Sequence, residues 1–263
     1  MLSSKGATPA PQKSYREACS PTTVSDALTA HSPLFVTPAL AAWADTVQHT
    51  AYNGLLVRRP FHGQWDTCQV AIDACLERDN LGLHGDPDSI ALTRVKLTEN
   101  LAVELVDAVG NLLRTAALPP LLSQQIFKDA CDIGRVVASM CSSAYALEIK
   151  LEIAGANTCK RWHQDHFVGR ALVSYTGVVG TEYTRDENVN FWELNNCGNA
   201  DHILRNADDI AAISVGDILF IKGKKYDREH ALVHRSPPPR FHPDGRVLNR
   251  LLLKVDVLSN PGE

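Results

Sequence analysis

Residues 159–166 read Cys-Lys-Arg-Trp-His-Gln-Asp-His, and within that run His163 and Asp165 stand two apart. On extended backbone, side chains two apart project from one face, so an imidazole and a carboxylate are aimed at the same point. A third group of this kind has to come from far along the chain. His234, 71 residues further on in Leu-Val-His-Arg-Ser-Pro-Pro, lies in a second strand-like segment that can supply it. Two neutral imidazoles and one carboxylate on one side of a divalent ion leave about three coordination positions open, room for a bidentate co-substrate and dioxygen together. That arrangement is the facial triad of non-haem Fe(II) oxygenases, and the residues that would form it are His163, Asp165 and His234.

A reaction that uses 2-oxoglutarate also needs a cation for the distal carboxylate, best supplied by a guanidinium that can bind it through two N–H groups. Arg250, 16 residues after His234, is the first candidate. Arg170, at the entrance of the strand after the His-x-Asp pair, is the second; Arg240 and Arg246 read as loop residues. The expected cofactors are therefore Fe(II) and 2-oxoglutarate. Zn is the alternative, since Cys159, four residues before His163, would complete a tetrahedral site with His163, Asp165 and His234. A His-x-Asp pair by itself recurs by chance as a solvated pair. The metal reading comes from its conjunction with His234, the Gly216-Asp217 turn and Arg250. His166 has an odd offset from Asp165, which turns it to the other face, and Trp162 and Trp192 fit either a pocket wall or the core.

The elements that would position these groups change character near residue 145. Before it, Thr37-Pro38 reads as an N-cap and first helical position for a helix of about three turns. A further helical pattern covers 65–78, and apolar spacing of i, i+3, i+4 and i+7 marks a helix over 98–117. Pro119-Pro120 breaks it, and 121–140 reads as another long amphipathic helix. Beyond, Leu147-Glu-Ile-Lys-Leu-Glu-Ile153 alternates with the period of a half-buried strand. Strand-like segments come next at 171–175, 180–184, 210–213, 218–222, 230–235 and 247–257, separated by Gly, Asn, Asp and Pro. The expected fold class is α+β: a tail at 1–35, a helical N-terminal region at 36–145, and a C-terminal double-stranded β-helix of the jelly-roll, cupin-like kind at 146–258.

Composition narrows the alternatives. The chain has 263 residues with 44% apolar, enough for an ordinary core, and a formal net charge of −4 without blocks of like charge. Neither nucleic acid nor membrane is an expected partner. The seven cysteines (Cys19, Cys68, Cys75, Cys131, Cys141, Cys159, Cys197) are odd in number and form no CxxC pair, which fits a reducing, cytoplasmic setting. The Ser/Thr/Pro/Ala-rich first thirty-odd residues read as a disordered tail, with a mitochondrial presequence as the alternative. No nucleophile elbow, Walker loop or Rossmann glycine fingerprint occurs.

Taken together, Arg161-Trp-His163-Gln-Asp165-His, Arg170, Tyr175-Thr-Gly177-Val-Val-Gly180-Thr-Glu182-Tyr183, Gly216-Asp217-Ile-Leu-Phe-Ile-Lys222-Gly223, Val233-His234-Arg235-Ser236-Pro237 and Arg250-Leu-Leu-Leu-Lys-Val-Asp256 carry a resemblance. The sequence resembles the uncharacterised family catalogued as domain of unknown function 1826, over most of the chain, with its specific motifs within 159–256. Tyr183 stands where the resemblance implies tryptophan. The Gly-Asp turn and apolar strand ahead of the distal histidine are similar to those of 2-oxoglutarate-dependent oxygenases. The family resemblance also implies a link to metal homeostasis, with a metallochaperone as partner, because bacterial members tend to be encoded near zinc-responsive metallochaperone GTPases. Two functions are thus expected as alternatives: an oxygenase acting on an unidentified small-molecule or protein substrate, and a non-catalytic zinc-binding protein.

Overall fold

The computed structural model describes residues 32–59, 68–73, 89–116, 118–141, 144–155, 158, 160–196 and 198–259. Its strands, in chain order, are β1 (Leu34–Thr37), β2 (Gly54–Val57), β3 (Ser89–Lys96), β4 (Ala144–Ala154), β5 (Gly169–Ser174) and β6 (Glu182–Tyr183). They continue as β7 (Ala211–Ala212), β8 (Ile218–Lys222), β9 (His234–Arg235), β10 (Arg240–Phe241), β11 (Val247–Leu248) and β12 (Arg250–Ser259). The helices are α1 (Trp43–Thr46), α2 (Leu101–Ala116), α3 (Pro120–Met140) and α4 (Phe191–Asn195). Seven strands form the main sheet in the order β1-β2-β8-β5-β12-β4-β3, a three-stranded sheet runs β7-β6-β9, and β10 pairs with β11. Within the main sheet β1 and β2 are parallel and every other pair is antiparallel.

The two faces of the main sheet are set by the strand period of two. One face is apolar: Leu147, Ile149, Leu151 and Ile153 of β4, Ala171 and Val173 of β5, Ile218 and Phe220 of β8, and Leu251, Leu253, Val255 and Val257 of β12. Helices α2 and α3 cover it, because Leu105, Val109, Leu112 and Ala116 recur on one side of α2, and Leu122, Ile126, Ile133 and Val137 on one side of α3. Each such side chain fully buried contributes roughly 1.5–3 kcal/mol. Pro120 opens α3 at a position where its missing N–H costs nothing.

The opposite face is divided. Toward β1, the side chains of Leu34, Leu56, Leu172, Leu219 and Ile221 meet Tyr183, Ala211, Ile213 and Leu232, so the small sheet is packed over that half. Toward β3 the same face is charged. The register sets Arg94 opposite Glu148, Glu148 opposite Asp256, and Asp256 opposite Arg170, one row across four strands.

Several sequence expectations meet their elements closely: the helices expected at 98–117 and 121–140 correspond to α2 and α3, 147–153 lies within β4, and 218–222 is β8. Others need correction. Residues 34–37 are a strand, and a 3-10 turn, Leu40–Ala42, leads from it into the four residues of α1, with Ala39 and not Thr37 at the cap. Most of the described residues of the segment 36–145 are helical, but it also supplies β2, β3 and the end of β1 to the main sheet. Runs of four such as Gly54-Leu-Leu-Val are too short to display a period. The expected strand 247–257 is interrupted at Asn249, and 230–235 is extended into a ladder only at His234–Arg235. Of the expected helix 65–78, residues 68–73 are helical and the rest lie outside the described residues, as do 1–31 of the expected tail. Among the described residues no helix is long and apolar enough to cross a membrane, and Cys68, Cys131 and Cys141 are free and buried.

Candidate metal centre

His163 sits outside any regular strand, yet its backbone is tied to His234. Each residue's N–H donates to the other's carbonyl at 3.0 Å, an isolated antiparallel bridge. Directly paired residues in an antiparallel ladder project side chains to the same face, and the two imidazole centroids lie 4.4 Å apart. Asp165 stands two residues on. Its segment is clamped by the loop leaving β8, where Lys224, Gly223 and Lys225 donate their N–H groups to the carbonyls of Asp165 (2.9 Å), Val168 (3.1 Å) and Phe167 (3.3 Å). Gly223 is required there because any Cβ would collide with the Phe167 carbonyl.

The result is a convergence. His163 Nε2 lies 3.7 Å from Asp165 Oδ1, and His234 Nε2 lies 3.7 Å from Asp165 Oδ2. One ligand atom from each of the three falls within 4.8 Å of the others, so a common centre lies at most about 2.8 Å from each, close to the ~2.0–2.2 Å of imidazole and carboxylate bonds to a divalent ion. The tautomers are fixed by the backbone. His163 Nδ1 is 2.9 Å from the Arg161 carbonyl and His234 Nδ1 is 3.0 Å from the Leu232 carbonyl. A carbonyl only accepts, so both Nδ1 atoms carry the proton and both Nε2 lone pairs face the centre. Burial drives the His234 pKa down to about 4, which keeps the ring neutral, against the pull of Asp165. Burial works to raise the Asp165 carboxyl, but its neighbours His234, Arg170 and His163 hold it below the ordinary range. Since His234 is neutral at pH 7, Arg170 is the partner that matters there.

Every nitrogen of the Arg170 guanidinium meets a carboxylate. Its Nη1 donates to Asp165 Oδ2 at 2.9 Å, while Nε and Nη2 bind the two oxygens of Asp256 at 2.5 and 3.0 Å. Burial opposes its charge, but Asp256 and Asp165 hold it firmly protonated. Asp256 is itself 0% exposed. The chain of charges continues through Lys150, which is 3.7 Å from Asp256 and 2.5 Å from Glu148, to Arg94 at 2.6 Å from Glu148.

Arg250 is different. It lies six residues before Asp256 on the same face of β12, is buried, and donates to Ser236 Oγ at 2.6 Å. No carboxylate among the described residues pairs with it. Burial brings its pKa down to about 10, with only the more distant charge of Glu182 offsetting that. Ser236, two residues past His234, therefore links this arginine to the His234 arm. Gly177, at φ +98°, packs against the Arg250 stem, where an added Cβ would lie 2.5 Å from Cγ.

The structure thus brings His163, Asp165 and His234 together and places Arg170 and Arg250 on the same sheet face with different partners. Cys159 lies outside the described residues, as does Cys197. His166 is exposed, on the side away from the centre. Trp162 is buried with the Arg235 guanidinium 4.5 Å above its ring, whereas Trp192 is 67% exposed and belongs to no core. Sequence reasoning assigns no role to Asp256 or Ser236. A signal for Asp256 exists in strand parity, since it shares a face with Arg250, but the apolar run Leu251-Leu252-Leu253 hides the alternation.

Residues 53–256 match the family described as "Protein of unknown function (DUF1826)". The chain belongs to the DUF1826 family. No curated protein matches this DUF1826 chain in sequence. Among solved structures it is similar to the rice dioxygenase for auxin oxidation, at 11% identity over 88% of this chain and 84% of that one, TM-score 0.46. The corresponding Arabidopsis thaliana dioxygenase, in complex with 2-oxoglutarate, gives 8% identity over 88% and 94%, TM-score 0.46. A Pseudomonas putida prolyl-4-hydroxylase gives 11% identity over 84% and 100%, TM-score 0.42.

Proposed function

We propose that this DUF1826 protein is a metal-dependent oxygenase of the Fe(II)/2-oxoglutarate type, built on a double-stranded β-helix whose two walls are the main sheet and the β7-β6-β9 sheet. The observation that carries the reading is the pair of Nε2 lone pairs, fixed by backbone acceptors on Nδ1, converging with Asp165, together with a buried arginine tied through Ser236 to the His234 arm and paired with no carboxylate among the described residues. His163, Asp165 and His234 would hold the metal, and the donor set fits Fe(II) while leaving positions for further ligands. Bound there, Fe(II) and 2-oxoglutarate supply dioxygen activation, with one oxygen atom entering the substrate and the other the succinate formed as carbon dioxide leaves.

The chain's own residues bind, orient and shield. Arg250 offers its remaining N–H groups to the distal carboxylate, and Ser236, whose oxygen already accepts from Arg250, has its own O–H left to donate to the same group. Arg170 does not suit that role because its charge is already met by the carboxylates of Asp256 and Asp165; it fixes the orientation of the Asp165 carboxylate instead. Asp165 and His234 are shielded from water, whereas the His163 side chain is 40% exposed, so a substrate reaches the centre from the His163 side.

Anaerobic titration with Fe(II) followed by 2-oxoglutarate tests the proposal. The expected outcome is a metal-to-ligand charge-transfer absorption that is lost in the His163→Ala/His234→Ala variant. Iron binding without that absorption overturns the co-substrate assignment, and iron binding that survives the double substitution overturns the site. Tight zinc binding by the same triplet, with no 2-oxoglutarate-dependent oxygen uptake by the iron-loaded protein, would assign the non-catalytic role in metal homeostasis.

A further inference from the structure

A second concave surface lies behind the metal-ligand segment. Gln164 and His166 have the opposite parity to His163 and Asp165, and with Lys224, Lys225, Arg228 and Glu229 they line a cleft of ≈ 730 Å³. That volume is within the roughly 300–1,000 Å³ of small-molecule sites. Its charge is lopsided: three permanent cations against one carboxylate, in a chain whose formal net charge is −4. Among the described residues none of those cations forms an ion pair. Lys224 Nζ donates to Asn195 Oδ1 at 3.1 Å and Lys225 Nζ to Ser259 Oγ at 2.7 Å, neutral acceptors that hold the ammonium groups in place without cancelling their charge. The nearby Asp227 is turned to His230, 2.8 Å away.

We propose that this cleft binds a small molecule through a phosphate or diphosphate group. The local excess of two positive charges matches the roughly −1.5 to −2 of a phosphate monoester at neutral pH. Lysines act there as point charges and Arg228 as a forked donor. Phe191 supplies an apolar wall for the organic part of the ligand. The loop that carries the cations is also the loop whose N–H groups clamp Asp165 and Phe167, so an occupant would brace the metal-ligand segment from behind. The site nevertheless stands apart from the metal position and does not depend on the oxygenase reading.

Inorganic pyrophosphate is the probe, titrated calorimetrically into the full chain freed of metal by chelation. Saturable binding is expected with a Kd below about 1 mM at low salt, weakening as salt is added. The affinity should fall at least about tenfold in Lys225→Ala/Arg228→Ala, whose side chains are exposed, with the unfolding midpoint of the free protein unchanged. It should be unaltered in His163→Ala/His234→Ala. The absence of saturable binding, equal affinity in the lysine–arginine variant, or loss of binding in the histidine variant would each overturn the assignment, the last by placing the anion at the metal side.

Discussion

Arg170 and Arg250 stand on the same face of the main sheet, one meeting each end of β12, and burial acts on both guanidinium groups. At the Arg170 end two carboxylates, Asp256 and Asp165, saturate the guanidinium and keep it charged beyond its ordinary strength. At the Arg250 end a serine hydroxyl is the only hydrogen-bond partner among the described residues, and burial pulls the pKa to about 10. Burying an ion without a counter-ion is costly, and a protein tolerates it where a ligand completes the pair. The first arginine is therefore held by the fold beside Asp165, and the second is the one whose charge suits the proposed anion-binding role.

The largest way to break that contrast is to remove the counter-ion from the paired end. Asp256→Ala leaves a largely buried guanidinium with Asp165 as its one remaining carboxylate among the described residues, and a loss of about 3–5 kcal/mol in urea unfolding is expected. Metal affinity should fall with it, because Arg170, released from Asp256, no longer holds Asp165 in a fixed orientation. Replacing both partners, Arg170→Met with Asp256→Leu, should recover most of the stability but not the affinity. If the double variant binds metal as the wild type does, Arg170 has no positioning role.

The difference between the two ends also explains what the sequence could disclose. The triplet was legible because metal ligation needs particular side chains at offsets that survive folding: two for His163 and Asp165, and a distant strand for His234. The distinction between Arg250 and Arg170 was not, since it depends on which residue lies across the ladder, and pairing Arg170 with Asp256 over 86 positions is a matter of strand order. Helices α2 and α3 showed themselves by period. β1 and β2, four residues each, carry no readable period and were absorbed into a helical reading.

A middle-sized effect sharpens the comparison from the His234 arm, the one tied to Arg250 through Ser236. The folded pKa of His234, about 4, lies below the ~6.5 of an unfolded histidine, so between those values the unfolded chain takes up the proton first. The contribution is fully present above pH 6.5 and is lost as the pH falls toward 4. On the order of 3 kcal/mol is at stake in the metal-free protein. Unfolding free energy measured across that window should drop with acid, and His234→Gln should flatten the profile. A wild-type profile as flat as the variant's would mean that the ring is not held neutral by burial.

The smallest stability effect is expected where the functional effect is greatest. Arg250→Met replaces an unpaired buried cation with an apolar chain of similar length, and its unfolding free energy should stay within about 1 kcal/mol of wild type or rise. The same substitution at Arg170 should destabilise, because it leaves buried Asp256 with only the more distant Lys150, 3.7 Å away, as a partner among the described residues. If Arg250 is the co-substrate anchor, 2-oxoglutarate raises the Tm of the iron-loaded wild type and leaves that of Arg250→Met unmoved, since a ligand stabilises only the fold it binds. Arg250→Lys keeps the charge but loses the fork, and should recover only part of the shift. A marked destabilisation of Arg250→Met in the absence of any ligand would erase the contrast, making Arg250 a second structural arginine whose partner is the fold itself.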